Sequence, residues 1–346
     1  MRTKALTPTL TLIASLGLAA CDELPRPTVT DGRGAKGAAA PAATPAAGDI
    51  PGDTVTLNFA WPEDLDAKVR YTLSGSATSN TPETFMHTLT VKKAGAGFEV
   101  SERGPLEGSD FTAEELILRG ELLAASSITS EGAFSGVLDA ARDHERGQDA
   151  MRKRFEAAGQ AELYAKGIGK MYSPAVVSRR SESIWQSMVG HWAGKTLTRG
   201  APEAITFESP VGPASASQRA LELTGELRYI GATRCKRGAV EATCVALSIK
   251  ASADPEKMAE TVLESLTSAM LNDVQTDRLK DMITVEKASA AREIMLIADP
   301  KTLLPHKLTI TQKLELSVML KRDPNDEPKR QQSVLDHKVE RVFSYQ

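Results

Sequence analysis

The sequence is short of nearly everything that advertises a chemistry. It holds three cysteines in 346 residues, too few for a disulfide-built scaffold or a multi-zinc protein. Its five histidines (His87, His144, His191, His306 and His337) are scattered, and no two have metal-ligand spacing. There is no surplus of positive charge: 42 Lys and Arg stand against 45 Asp and Glu, a net −3. A chain so balanced has little with which to displace phosphate counterions, which argues against a nucleic-acid partner. No Gly-x-Ser-x-Gly elbow nominates a nucleophilic serine. His144-Glu145 is followed at position 148 by Gln, where a helical zinc protease needs its second His. Gly194-Lys195-Thr196 ends like a phosphate-binding loop, but position 189 is Val where that loop needs Gly. The simpler role of Gly194 is a helix stop. No catalytic residue, cofactor or metal ligand is assigned from the sequence, and the chain reads as a binding or structural protein sooner than an enzyme.

What is present begins at the N-terminus. Arg2 and Lys4 precede Leu6 to Leu18, a mostly apolar run too short to span a bilayer. The run ends in Leu18-Ala19-Ala20-Cys21. Residues 1–20 with this ending resemble the signal peptide and lipobox of bacterial lipoproteins, matching at Leu, two small residues and Cys. The resemblance implies diacylglyceryl transfer to the Cys21 sulfur, cleavage before it, and usually a further acyl chain on the new amino group. Two or three chains anchor durably where one is marginal. The expected location is the bacterial cell envelope, with the folded part outside the cytoplasm. Asp22 resembles the inner-membrane retention signal of enteric bacteria, but other lineages do not follow that rule, and inner and outer membrane both stay open.

Residues 21–53 are rich in Pro, Ala and Gly, punctuated by Pro27, Pro41, Pro45 and Pro51. Such composition buries too little apolar surface to offset ordering entropy and reads as a tether. As a flexible coil it would span about 30 Å.

From residue 54 to 346 the composition is that of an ordinary globular chain, with 41% hydrophobic and 25% charged residues overall. Val55, Leu57, Phe59 and Trp61 alternate, suggesting a strand over 55–61, and Val69, Tyr71 and Leu73 do the same. Phe85–Lys93 and Gly97–Arg103 fit a hairpin around Gly95-Ala96-Gly97. A short helix after Thr112 and a turn at Ser130-Glu131-Gly132 are expected. The period then becomes helical: Met151, Phe155 and Ala158, followed after Ser173-Pro174 by Val177, Ile184, Met188 and Trp192, with Trp185 and Val189 beside them. The charged run Arg142–Arg146 reads as a solvated face, His87 as a half-exposed strand residue, and His191 as a helix-end residue.

Strands return with a short one over Ala204–Phe207, then Leu221, Leu223, Leu227 and Tyr229, and Val245, Leu247 and Ile249. Asp254-Pro255-Glu256 opens a helix with an apolar stripe from Met258 and Val262 through Leu266 and Ala269 or Met270 to Val274. After Pro305, Leu308, Ile310, Leu314, Leu316, Val318 and Leu320 share one parity, in which Gln312 alone is polar. Residues 323–328 read as a loop and Val339–Tyr345 as a closing strand. This pattern predicts an α+β fold: antiparallel sheets, a half-barrel or roll among the candidates, packed with a central helical segment and one later helix. Two β-rich halves, 54–135 and 195–346, would flank helices 137–193. Asp299-Pro300-Lys301-Thr302-Leu303-Leu304-Pro305-His306 resembles turns in envelope lipoproteins and lipid carriers with half-barrel sheets; its local reading is a loop capped by Asp299.

Cys235 and Cys244 bracket a hairpin loop, and in an oxidising compartment a disulfide between them is expected. Cys235 shares the parity of Tyr229, whereas Cys244 is out of phase with Val245. The bond therefore needs a β-bulge, or cysteines within the loop. A zinc site would need two more ligands nearby. The function expected is that of a membrane-anchored envelope protein, non-catalytic, with a hydrophobic ligand or an envelope protein as partner. The competing reading is an exported hydrolase whose site is assembled from distant residues.

Overall fold

The computed structural model describes residues 52–75, 82–166, 172–209, 221–237, 240–270, 282–321 and 327–345. The expected signal peptide, Cys21, nearly all of the tether and the greater part of the 323–328 loop lie outside them. The strands are β1 (Thr54–Thr56), β2 (Asp64–Gly75), β3 (Glu83–Ala94), β4 (Gly97–Glu107), β5 (Ser126–Ile128), β6 (Phe134–Val137), β7 (Thr196–Thr198), β8 (Pro202–Ser209), β9 (Leu221–Arg237), β10 (Val240–Ala253), β11 (Ile283–Ala298), β12 (Pro305–Leu320) and β13 (Lys329–Tyr345). The helices are α1 (Ala113–Arg119), α2 (Ala140–Ala157), α3 (Ala161–Lys166), α4 (Pro174–Trp185) and α5 (Pro255–Met270), and α4 runs on into a π turn, Gln186–Gly190. No helix among the described residues is long and apolar enough to cross a membrane.

Eleven strands form one open antiparallel sheet in the order β6-β5-β4-β3-β2-β13-β12-β11-β10-β9-β8. The two β-rich segments meet inside it, because β13 pairs with β2 from Tyr345↔Ala67 to His337↔Gly75. Mixed α+β architecture with antiparallel pairing is therefore what the alternation produced.

One face of the sheet is apolar, and register aligns it in rows. Across β9 to β12, Tyr229 pairs with Leu247, Leu247 with Leu296, and Leu296 with Leu308. All four are fully buried. Burying a side chain of this size stabilises by about 1.5–3 kcal/mol, so each row contributes substantially. Helices cover this core. Thr112 caps α1 through a capping box with Glu115, and Gly120 ends it in the left-handed conformation, φ 76°. Ser173 caps α4 with Pro174 in its first turn. Val177, Ile184, Trp185, Met188, Val189 and Trp192 are buried, as the helical spacing requires. The α4 helix lies against β6, and the π turn against β11 and β12. Asp254 caps α5, its carboxylate accepting from the amides of Glu256 and Lys257 at 2.9 and 3.0 Å. The rest of the α5 stripe, from Leu266 to Val274, falls outside the residues whose side chains are described.

Several expectations need correcting. The strand over 55–61 is only three residues long, pairing with β7 as a separate two-stranded sheet. Its alternation reflects packing: Phe59 and Trp61 leave the ladder for an aromatic cluster with Trp185 and Phe98. The short strand at 204–207 extends to Pro202–Ser209. The closing strand starts at Lys329, ten residues before Val339, because its first half carries no buried residue to mark it. The 142–146 run is not wholly solvated, since Asp143 is buried and burial raises its carboxyl above the usual range. The Asp299 cap is present, accepting from the amides of Lys301 (2.7 Å) and Thr302 (3.2 Å).

Candidate functional site

Three polar clusters interrupt the buried interior. The first forms a row across the covered face. Register places Gly225 opposite Ala251, Ala251 opposite Arg292, Arg292 opposite Gln312, Gln312 opposite His337, and His337 opposite Gly75. Arg292 has the parity of Ile294 and Leu296, so its side chain enters the core, where it is 6% exposed. Its Nη1 donates to the Ser183 and Ser209 hydroxyls, both at 3.0 Å, and its Nη2 to the Ser187 hydroxyl at 3.0 Å. These hydroxyls come from α4, β8 and the π turn. Ser183 and Ser187 are four residues apart, and the Ser187 hydroxyl also donates to the Ser183 carbonyl at 2.7 Å. The Arg292 Nε has no partner among the described residues, and no carboxylate pairs with the guanidinium there. Burial pulls the guanidinium down to about 10, so it stays charged at neutral pH. Burial, then Arg292 and Lys195, pull the His191 imidazole down to about 4. Burial and then Arg292 lower His337 in the same sense.

The second cluster sits on β13, β4 and β3. Arg341 Nη1 donates to both oxygens of Glu102 at 2.6 and 2.8 Å, and Nη2 to the Glu121 carbonyl at 2.6 Å. Glu102 also accepts from the Leu123 amide at 2.8 Å. Burial alone would raise this carboxyl, but Arg341 and His87 hold it down at about 2. His87 lies 3.3 Å from Glu102 and is 2% exposed, so the half-exposed strand residue expected from sequence is instead buried beside a carboxylate. Nearby, Arg119 pairs with Glu121 at 2.6 Å, and burial raises the Glu121 carboxyl. The His87–Glu102 side chains are sealed from solvent, which leaves them no route to a substrate proton.

The third cluster is the disulfide. Cys235 and Cys244 are bonded, with their Cα atoms 5.7 Å apart. The phase problem is solved by a bulge: the register of β9 and β10 shifts where Leu247 faces Tyr229 but Ala246 faces Gly231. Gly231, at φ 150°, takes a conformation other residues rarely adopt. Past the bulge Cys235 opposes Ala242, two positions from Cys244, so both sulfurs share a face. His306 joins them, its ring nitrogen and the two sulfurs all lying within 4.8 Å of one another. With the sulfurs spent on each other, no thiolate is available as a metal ligand in this state.

Outside the core, a groove of about 790 Å³ between α1 and α2 is lined by Glu114, Glu115, Arg146, Asp149, Lys153 and Arg154. Its charges largely pair among themselves, Arg154–Glu115 across the groove and Lys153–Asp149 along α2, both at 2.6 Å.

No protein-family model matches the chain, and no curated protein matches it. The site must therefore be read from its own chemistry. Neither Arg292 nor its serines stands out from composition. The legible signal was Gln312, the polar residue in an otherwise apolar parity of β12, which marks the row to which Arg292 belongs.

The phosphate-loop reading of Gly194-Lys195-Thr196 finds no support in backbone geometry. The Gly194 amide donates to the Leu57 carbonyl, and the Lys195 carbonyl accepts from the Leu57 amide, both at 2.8 Å. The amide and carbonyl are spent on the chain's own N-terminal segment.

Proposed function

We propose that this chain is a lipid-anchored bacterial envelope protein, held at Cys21, that binds a hydrophobic ligand between its sheet and its helical cover and catalyses nothing. The observation that carries the reading is the construction of that cover. The segment over β11 and β12 is not regular helix but a single π turn, whose own Ser187, Met188 and Val189 are buried. Such turns are uncommon and concentrate at functional sites. A cover irregular at its point of contact can rearrange to admit a ligand at less cost than a straight helix.

The sheet is read as a half-barrel. Ser183 and Trp185, two residues apart on α4, bond to Arg292 on β11 and to the Gly132 carbonyl in the β5–β6 turn. Those strands are six steps apart in the sheet, about 29 Å if it were flat. One helical turn reaching both supports a curled sheet. In this state the interior is filled by side chains such as Trp185, Trp192 and Tyr229, so ligand and side chains would exchange places.

The test is lipid analysis of the full-length protein purified in a neutral detergent. Mass spectrometry should find an acyl-chain compound enriched over the bulk membrane extract, near one per chain, and absent from an unrelated lipoprotein prepared alongside. A composition identical to the bulk extract in both preparations would refute the reading.

A further inference from the structure

We propose that the polar row on the covered face, with Arg292 at its centre, holds the anionic headgroup of an amphiphile, a carboxylate or a phosphate. The inference rests on the ligand-binding reading above and names its ligand class.

The argument starts from the two buried arginines. Arg341 and Arg292 are 2% and 6% exposed, and both reach into the same interior. Arg341 is neutralised by Glu102 on a neighbouring stretch of sheet. Arg292 meets three hydroxyls and no carboxylate among the described residues. A buried charge costs several kcal/mol unless paired, and hydroxyls supply dipoles but no countercharge. The stretch that connects Ser209 to β9, residues 210–220, contains no Asp or Glu.

Geometry suits an anion arriving from outside. The Nε hydrogen has no acceptor among the described residues, and a guanidinium presents Nε and Nη as a fork that matches two oxygens of a carboxylate or phosphate. The Ser183 and Ser209 hydroxyls, which accept from Nη1, can turn their protons to the same oxygens, and Gln312 and His337 lie next along the row. On the other flank stand Ala251 and Gly225, small residues that bring no charge or polar side chain to the row. The rows to either side are apolar: Ile294 and Ile310 on one, Ala290 and Leu314 on the other. A polar centre between apolar rows is complementary to one charged head carrying an alkyl chain. His191 and His337 do not compete for the role of cation, since burial and Arg292 keep both rings on the neutral side.

The experiment is native mass spectrometry of the full chain released from neutral detergent. The probes are oleic acid, its methyl ester and oleoyl lysophosphatidic acid. The wild type should bind at least one anionic probe tenfold or more tighter than the ester, and whichever acid wins identifies a carboxylate or a phosphate ligand. Arg292→Gln should erase that preference and Arg292→Lys should keep part of it, because a point charge replaces the fork. Should Arg292→Gln fail to fold, judged by circular dichroism, the wild-type ratio and the Lys variant still decide. Equal binding of ester and acids overturns the inference and leaves ligand binding intact. A preference that survives Arg292→Gln in folded protein also overturns it. Failure of all three probes to bind removes both this inference and the reading on which it rests.

Discussion

A single guanidinium nitrogen of Arg341 holds both oxygens of the Glu102 carboxylate, 2.6 and 2.8 Å away, with neither side chain more than 3% exposed. The pair joins β13 to β4, strands separated by β2 and β3 in the sheet. It clamps the loop after α1 through the Glu121 carbonyl and the Leu123 amide.

Breaking that pair from one side strands a charge. Glu102→Gln should cost about 3–5 kcal/mol in urea unfolding. The double variant Glu102→Leu/Arg341→Met should recover much of the loss, because both desolvated charges go together. A double variant as unstable as the sum of its parts would contradict this account.

Acid should weaken the fold in two stages. Burial, then Arg292 and Lys195, pull the folded His191 imidazole down to about 4, against 6.5 in the unfolded chain. The unfolded chain therefore binds a proton that the folded chain refuses, and stability falls as pH drops from about 6.5 to 4. His337, lowered in the same direction, adds to that loss. Glu102, held at about 2 from 4.5, contributes stability above pH 4.5 that disappears as pH falls toward 2. Melting temperature should decline across both windows. His191→Gln should flatten the upper one and leave the lower one; an unchanged upper slope in that variant would count against the assignment.

The disulfide closes a separation of nine residues. On the loop-entropy account it stabilises by roughly 2–3 kcal/mol. Cys235→Ser/Cys244→Ser should lower unfolding free energy by that amount without changing the circular dichroism spectrum. A loss near zero would mean that the β9–β10 hairpin is equally ordered when unfolded.

The bulge depends on Gly231. Gly231→Val forces a branched side chain into φ near 150°, a cost of about 1–3 kcal/mol. The expected escape is a one-residue slip that places the two sulfurs on opposite faces. Alkylation after denaturation should then find free thiols in the variant and none in the wild type.

Attachment through Cys21 has its own readout. Cys21→Ser should abolish palmitate labelling and move the protein from the membrane pellet to the soluble fraction. Labelling that persists in the variant would end the lipoprotein reading while leaving the folded part as described.

Much of the sheet could be read from period-two alternation, because strands such as β9, β10 and β12 bury one parity and the pattern survives in the residues themselves. The bulge was one of the two ways in which Cys235 and Cys244 could meet, the other being cysteines within the loop. What escaped was polar burial. His87 shares the buried parity of Phe85, Leu89 and Val91, so its inward direction was legible, but the Glu102 that makes a buried imidazole tolerable lies on another strand; Asp143, on a charged helix run, carries no such signal. Arg292 escaped for a related reason. Ala288, Ala290, Arg292, Ile294, Leu296 and Ala298 share one parity on β11, but a face half made of alanine does not announce that it is the covered one. The half-sheet pairing of residues 55–61 was overcalled because alternation cannot distinguish a ladder from a segment pinned by aromatic packing.

The union of β1 with β7 has a mechanical consequence. Three residue pairs, from Thr54↔Thr198 to Thr56↔Thr196, and the bond from the Arg199 amide to the Asp53 carbonyl are the first contacts of the described residues, counted from their N-terminal end, with the rest of the fold. Strand β7 leads back through Gly194 to the π turn that carries Ser187. If the chain is moored at Cys21 as proposed, a pull toward the membrane would be delivered first to the strand that follows the π turn over Arg292. Tension and cargo would meet at the same hinge.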